Sequence, residues 1–160
     1  MNLQKKLKLS LLTYLAATTT LIFLTPRSVL AANSARTDSV INVAIPDSDR
    51  FIPFALSIYA GDTVQWTNND TDDHTIVSDD PFTSLKLRGV RKLIHGTDAN
   101  GGKSGTVSLK FKDRGTFIYY CDLHAKLDAY NQPISPGPKG GVQDSNGNYG
   151  TPMMGIITVM

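Results

Sequence analysis

Cys121 and His124 stand three residues apart in "FIYYCDLHAKLDAYNQ", and Cys121 is the only cysteine of the 160-residue chain. One thiol forms no internal disulfide. It serves as a small buried side chain, as a nucleophile or as a metal ligand. Two distant features bear on the choice: His74 opens the run "HTIVS", and Met153 and Met154 precede the terminal "GIITVM". A thiolate, two imidazoles and a thioether form a soft donor set that suits copper, as a trigonal His₂Cys plane with a weak axial sulfur. Sulfur stabilises Cu(I) and imidazole accepts both oxidation states, so a rigid set of this kind passes one electron with little rearrangement.

Other chemistries fit less of the pattern. A nucleophilic cysteine needs a base and a group that orients the base; Cys121 and His124 supply a pair, but no cysteine-enzyme signature surrounds them. Zinc also accepts thiolate and imidazole. A dinuclear copper centre needs a second cysteine, and a catalytic copper cluster needs more histidines than His95, the one left over. His95 reads as a surface residue and Trp66 as core.

The elements that must position these residues read as strands. "SVINVAI" (39–45) is β-branched and ends at Pro46-Asp47. "FALSIYAGDTVQWTN" reads as strand, turn at Gly61-Asp62 and strand, with Val64 and Trp66 alternating with Thr63, Gln65 and Thr67. "HTIVS" (74–78) follows a polar run, "GTVSLKF" puts Val107, Leu109 and Phe111 on one face, and "TFIYYC" and "GIITVM" complete the series. Short alternating strands punctuated by Gly and Asp predict an all-β antiparallel sandwich or barrel. Cys121 then ends one strand, His124 lies in the turn after it, and His74 begins another. Segments 79–104 and 125–152 read as long loops, and loops of that length are often functional.

In these motifs the sequence resembles the cupredoxin family of type 1 blue copper proteins, close to plastocyanins and amicyanins. "AGDTVQWTNNDTDDHTIV", "GTFIYYCDLH" and "MMGIITV" are similar to the family's segments around the first histidine, the cysteine and second histidine, and the methionine before the last strand. The resemblance covers most of 40–160. It implies a single-domain Greek-key β-sandwich over 39–160, with His74, Cys121 and His124 as equatorial ligands of one copper. The Met-x-Gly spacing implies Met153 as the axial ligand. It also suggests that Tyr120 lies on a lateral electron route. Two departures stand out. Residues 125–152 separate His124 from Met153, where the family has only a few residues, and Thr75 follows the first histidine where many members carry asparagine. The insertion brings Gln132 and Gln143, and glutamine can replace an axial methionine.

The amino terminus reads as an export signal. Lys5, Lys6 and Lys8 precede an apolar stretch from Leu9 to Leu24, and Val29 and Ala31 supply the small residues of a cleavage site. Residues 1–31 are therefore expected to be a signal peptide and 32–38 a linker, with no stable membrane insertion after cleavage. The leader takes four of the sixteen Lys and Arg, leaving twelve against fourteen acids, all of them aspartate. The basic balance of the whole chain thus implies no nucleic-acid partner. The expected protein is an exported monomer of periplasm or thylakoid lumen that carries single electrons between a donor and an acceptor met transiently. It is not an enzyme; copper delivery or sequestration is the alternative. Asp70, Asp72, Asp73, Asp79 and Asp80 flank His74 and read as a solvated turn or a docking patch, with the basic cluster at 86–92 a second patch of opposite sign.

Overall fold

Apolar residues at every second position give strands with one buried face, and these strands pair into two sheets. The computed structural model describes residues 36–79, 81–137, 141–143 and 149–160. The expected signal peptide, residues 32–35 and Asp80 lie outside them. The strands are β1 (Val40–Ile45), β2 (Ala55–Ile58), β3 (Thr63–Asn68), β4 (His74–Ser78), β5 (Val90–Ile94), β6 (Gly105–Lys110), β7 (Gly115–Tyr120), β8 (Lys126–Leu127), β9 (Pro133–Ile134), β10 (Val142–Gln143), β11 (Tyr149–Thr151) and β12 (Met154–Val159). One sheet has the order β1-β3-β6 and the other β2-β12-β7-β4-β5; β8–β9 and β10–β11 form separate ribbons.

The all-β Greek-key sandwich is the fold observed, but its pairing is mixed rather than wholly antiparallel. β1 runs parallel to β3, and β2 parallel to β12. The cause is the route of the chain. It leaves β1, crosses to the other sheet as β2 and returns as β3, and a crossover of this kind delivers a parallel neighbour.

The core lies between the sheets. Val43, Ile45, Val64 and Trp66 from one sheet meet Ile58, Ile76, Ile94, Phe117, Tyr119 and Ile157 from the other. Tyr119 is its hub: its ring lies 4.8 Å from Phe51 and 5.4 Å from Trp66, both edge-on, and stacks on Phe117 at 5.5 Å. Each such pair adds about 0.5–1.5 kcal/mol beyond the area it buries. Gly155 stands opposite Tyr119 in the β7–β12 register. A Cβ at Gly155 would come within 2.5 Å of the Tyr119 ring, so the glycine of Met-x-Gly is what lets that ring lie across β12.

Both segments read as loops carry structure. Within 79–104 the chain makes a 3-10 turn, Leu85–Leu87, and then β5, which pairs with β4 from His74↔Ile94 to Ser78↔Val90. Alternation hid this strand because Arg91, Lys92 and Leu93 are all exposed and only Ile94 is fully buried. Within 125–152 the two ribbons form. The turn of β8–β9 is closed by Asp128, whose Oδ1 accepts the amides of Tyr130 and Gln132, with Asn131 in the left-handed region at φ 58°.

Candidate metal centre

β4 and β7 are neighbours in the five-stranded sheet, paired at Val77↔Tyr120. That register sets His74, at the start of β4, beside Cys121, just past the end of β7. The turn 121–124 then brings His124 back: its amide donates to the Cys121 carbonyl at 3.1 Å. The Sγ of Cys121 lies 3.7 Å from Nδ1 of His74 and 3.5 Å from Nδ1 of His124, and the two Nδ1 atoms are 3.1 Å apart. A circle through a triangle with these sides has a radius of about 2.0 Å, the length of a metal–imidazole bond and a little short of a metal–thiolate bond. The donor set therefore fits a small metal ion. Cys121 and His74 are fully buried, whereas the His124 side chain is 20% exposed and forms the solvent edge.

Met153 is joined to the same turn through its backbone. Cys121 N donates to Met153 O at 3.0 Å, and Met153 N donates to His124 O at 3.2 Å. Its side chain is fully buried in the cluster that holds Cys121. Met154 begins β12 and packs on the opposite side, against Val77, Tyr120 and Ala125. The alternation of an extended chain thus separates the two methionines. The insertion closes on this turn as well: a Cβ on Gly141 would meet Thr151 O at 2.6 Å and His124 O at 3.4 Å.

Residues 41–129 match the sequence model of the copper binding proteins, plastocyanin/azurin family. The chain belongs to this family. His74, Cys121 and His124 lie inside the matched span and Met153 beyond it. The chain is 26% identical to chloroplastic plastocyanin of Pisum sativum, over 62% of this chain and 60% of that protein. It is 34% identical to plastocyanin of Scenedesmus fuscus, over 46% of this chain and 74% of the relative. Coverage falls to 43% of the length of the chloroplastic plastocyanin of Physcomitrium patens. Among solved structures, a reduced amicyanin variant aligns with a TM-score of 0.49 at 20% identity, over 79% of this chain and 87% of that one.

In this cupredoxin Thr75 takes up the bonds for which many members use asparagine. Its amide donates to Cys121 Sγ at 3.3 Å, its hydroxyl donates to Asp122 Oδ1 at 2.6 Å, and the same hydroxyl accepts the Asp122 amide at 3.0 Å. Asp122 in turn pairs with Arg91 of β5. Burial pushes the Cys121 thiol up, yet His124, His74 and the Thr75 donors pull it down to about 6. Thiolate is the form that binds metal. Burial opposes a proton on His74, but Cys121 and Asp70 outweigh it and the imidazole is raised; His124 is raised first by Cys121, against burial, with help from Asp49.

Two carboxylates escaped the sequence reading. Asp70 is neither solvated nor part of a docking patch. It is buried, its Oδ2 lies 3.1 Å from His74 Nε2, and its Oδ1 accepts the Thr71 amide at 2.6 Å. Asn68, fully buried, holds the loop by accepting the Asp70 amide and donating to the carbonyls of Asp72 and Ile94. Asp49 is the second: its Oδ1 lies 3.8 Å from His74 Nε2 and 3.6 Å from His124 Nε2. The signal for Asp70 was its place four residues before a buried histidine whose second nitrogen needs an acceptor. Nothing local marks Asp49. Tyr119 and Tyr120 alternate along β7, yet both side chains are buried. The two take opposite faces, and Tyr120 is only 4% exposed, covered by Val77 and Ala125. His95 is exposed, with Nδ1 3.3 Å from Asp73.

Proposed function

We propose that this protein is an electron carrier that holds one mononuclear type 1 copper on His74 Nδ1, Cys121 Sγ and His124 Nδ1, with Met153 as the axial ligand. The observation that carries the reading is the triangle of Sγ and two Nδ1 atoms, sized for a single metal ion. Copper bound there supplies a Cu(I)/Cu(II) couple that takes up and gives back one electron at a time.

The chain's own residues do the rest. β4 and β7 fix the relative position of His74 and Cys121, and the Thr75 amide holds the sulfur. Met153 is tied to both ends of the ligand turn, so its side chain is placed by backbone bonds rather than by its own flexibility. The exposed edge of His124 is the shortest way from the buried centre to a partner's surface. No bond is made or broken in a substrate, so the protein is a carrier and not an enzyme. Its donor and acceptor are redox proteins met through small, short-lived interfaces and guided by charge. An exported monomer in periplasm or thylakoid lumen suits this role, and the relatives from pea and moss are chloroplastic plastocyanins. Delivery or sequestration of copper would require ready exchange, which the full burial of Cys121 and His74 opposes.

The test is optical. Oxidised, copper-loaded protein is expected to show an intense visible band from charge transfer out of the Cys121 thiolate. Cys121→Ser keeps the β-sheet circular dichroism and loses the band. A copper-loaded wild type without colour refutes the reading.

A further inference from the structure

We infer that Asp49 is a positioning residue shared by the two histidines: its carboxylate lies against the outer Nε2 edge of both His74 and His124, at ion-pair rather than hydrogen-bond distance, and its charge favours the oxidised metal over the reduced one. The inference rests on the copper reading above and concerns a residue from outside the three segments that carry the ligands.

The argument starts from the direction of the rings. Both imidazoles turn Nδ1 toward Cys121 Sγ, so both turn Nε2 the other way. A neutral imidazole that gives the lone pair of Nδ1 to a metal carries its proton on Nε2, and that proton needs an acceptor. Carboxylates in this position fix the tautomer and the ring orientation and raise the basicity of the ligand. For His74 the acceptor is Asp70 at 3.1 Å. Beside His124 stands Asp49, whose Oδ1 lies 3.6 Å from Nε2, an ion-pair rather than a hydrogen-bond distance, and the same Oδ1 lies 3.8 Å from His74 Nε2. One oxygen atom therefore faces both rings.

Asp49 is held where it can act. Its loop is short and closed by a pair of backbone bonds, Ala44 N to Ile52 O at 2.8 Å and Ile52 N to Ala44 O at 2.9 Å. Phe51 anchors the loop in the main core at 2% exposure. Asp49 itself has φ 51°, a left-handed conformation that Asp tolerates better than most residues. Its side chain is 26% exposed, so water screens its charge only in part.

The consequence is electrostatic. A carboxylate close to both ligands stabilises a dication more than a monocation. Asp49 and Asp70 together surround the rings with negative charge, so the pair lowers the reduction potential. Asp49 also restrains His124, the ring at the solvent edge.

The experiment uses copper-loaded wild type, Asp49→Asn and Asp49→Gly. Both replacements accept the left-handed backbone, so a fold defect in one leaves the other to be read. Wild-type colour is recorded first; its absence refutes the copper reading and this inference with it. Given a coloured wild type, the Cu(II):Cu(I) affinity ratio, read from the reduction potential, is expected to fall at least tenfold in both variants, a rise of about 59 mV for a one-electron couple. The thiolate band and the melting temperature of the metal-free protein should be retained. Asp113→Asn, which removes an exposed acid paired with Lys86, should leave the ratio unchanged. A ratio within twofold of wild type in the Asp49 variants, or an equal shift in Asp113→Asn, overturns the assignment of Asp49 and leaves the copper site standing.

Discussion

Thr75→Val tests the bracket that ties β4 to the ligand turn. The substitution keeps the β-branched shape and deletes one hydroxyl that is 5% exposed as part of its residue. Two bonds with Asp122 go with it, and a longer contact with Cys121 Sγ at 3.7 Å. The bond from the Asp122 amide to a neutral oxygen contributes about 1 kcal/mol, and the bond from the hydroxyl to the Asp122 carboxylate about 1.5–3 kcal/mol. Asp122 is 25% exposed and keeps Arg91, so its carboxylate regains water and the loss belongs in the lower part of that sum, about 2.5–3 kcal/mol. For a domain of this size that is a fall in melting temperature of roughly 6–15 °C. Trp66, the single tryptophan and fully buried, reports unfolding by fluorescence. Urea titration of the metal-free protein should show a lower midpoint at unchanged slope. Thr75→Ser should recover most of the loss, and Thr75→Val combined with Asp122→Ala should cost less than the two singly. A Thr75→Val loss below about 0.5 kcal/mol, small against the loss of two part-buried bonds, would show that the bracket does not hold the turn and refute the reasoning.

Two further outcomes follow from the geometry. Met153→Gln should lower the reduction potential and shift the copper spectrum, while Met154→Leu, altering a side chain on the opposite face, should change neither; the reverse result places the last strand one residue out of register. For Asp62, burial raises the carboxyl, but Arg36 at 2.6 Å and the amides of Tyr59 and Ser39 outweigh it and hold it at about 2, below the ordinary 3.8. A lowered carboxyl contributes stability that is complete above the unfolded value and lost as pH falls from 3.8 toward 2. Urea midpoints across that window should drop less steeply in Asp62→Asn than in wild type, and parallel curves would count against the Arg36–Asp62 pair.

The sequence was most legible where one residue type has few uses. A lone cysteine three residues before a histidine, at the end of an aromatic strand, pointed to the turn where Cys121, His124 and His74 come together. Alternation in "TVQWTN" and "GTVSLKF" marked β3 and β6 because one face of each meets the core. β5 was hidden because an edge strand with exposed Arg91 and Lys92 has no buried face to pattern. The ribbons of 125–152 were hidden because strands of two or three residues are too short to show a period. Parallel pairing depends on which strands become neighbours after a crossover, and no local pattern records that. Asp70 and Asp49 were missed for one reason. Aspartate is also the usual turn residue, and only tertiary structure tells a buried carboxylate facing an imidazole from a solvated one.

The closing bonds of the insertion bear on how this protein can diversify. Twenty-eight residues separate His124 from Met153, yet Met153 N reaches His124 O directly, so the two ends meet as they would around a short turn. Loop-closure entropy grows slowly, by about 0.6 kcal/mol per doubling of length, and cutting the segment from twenty-eight to seven residues would change stability by only about 1.2 kcal/mol on that scale. Length between the two clamps is therefore a nearly free variable, while composition is fixed where Ala125, Leu127, Gly141 and Val142 pack on the sandwich and the turn. The segment is a cassette beside a fixed socket: sequences of other sizes and charges can be spliced into its outer part, altering the surface around His124 while the donor set of His74, Cys121 and His124 stays as it was.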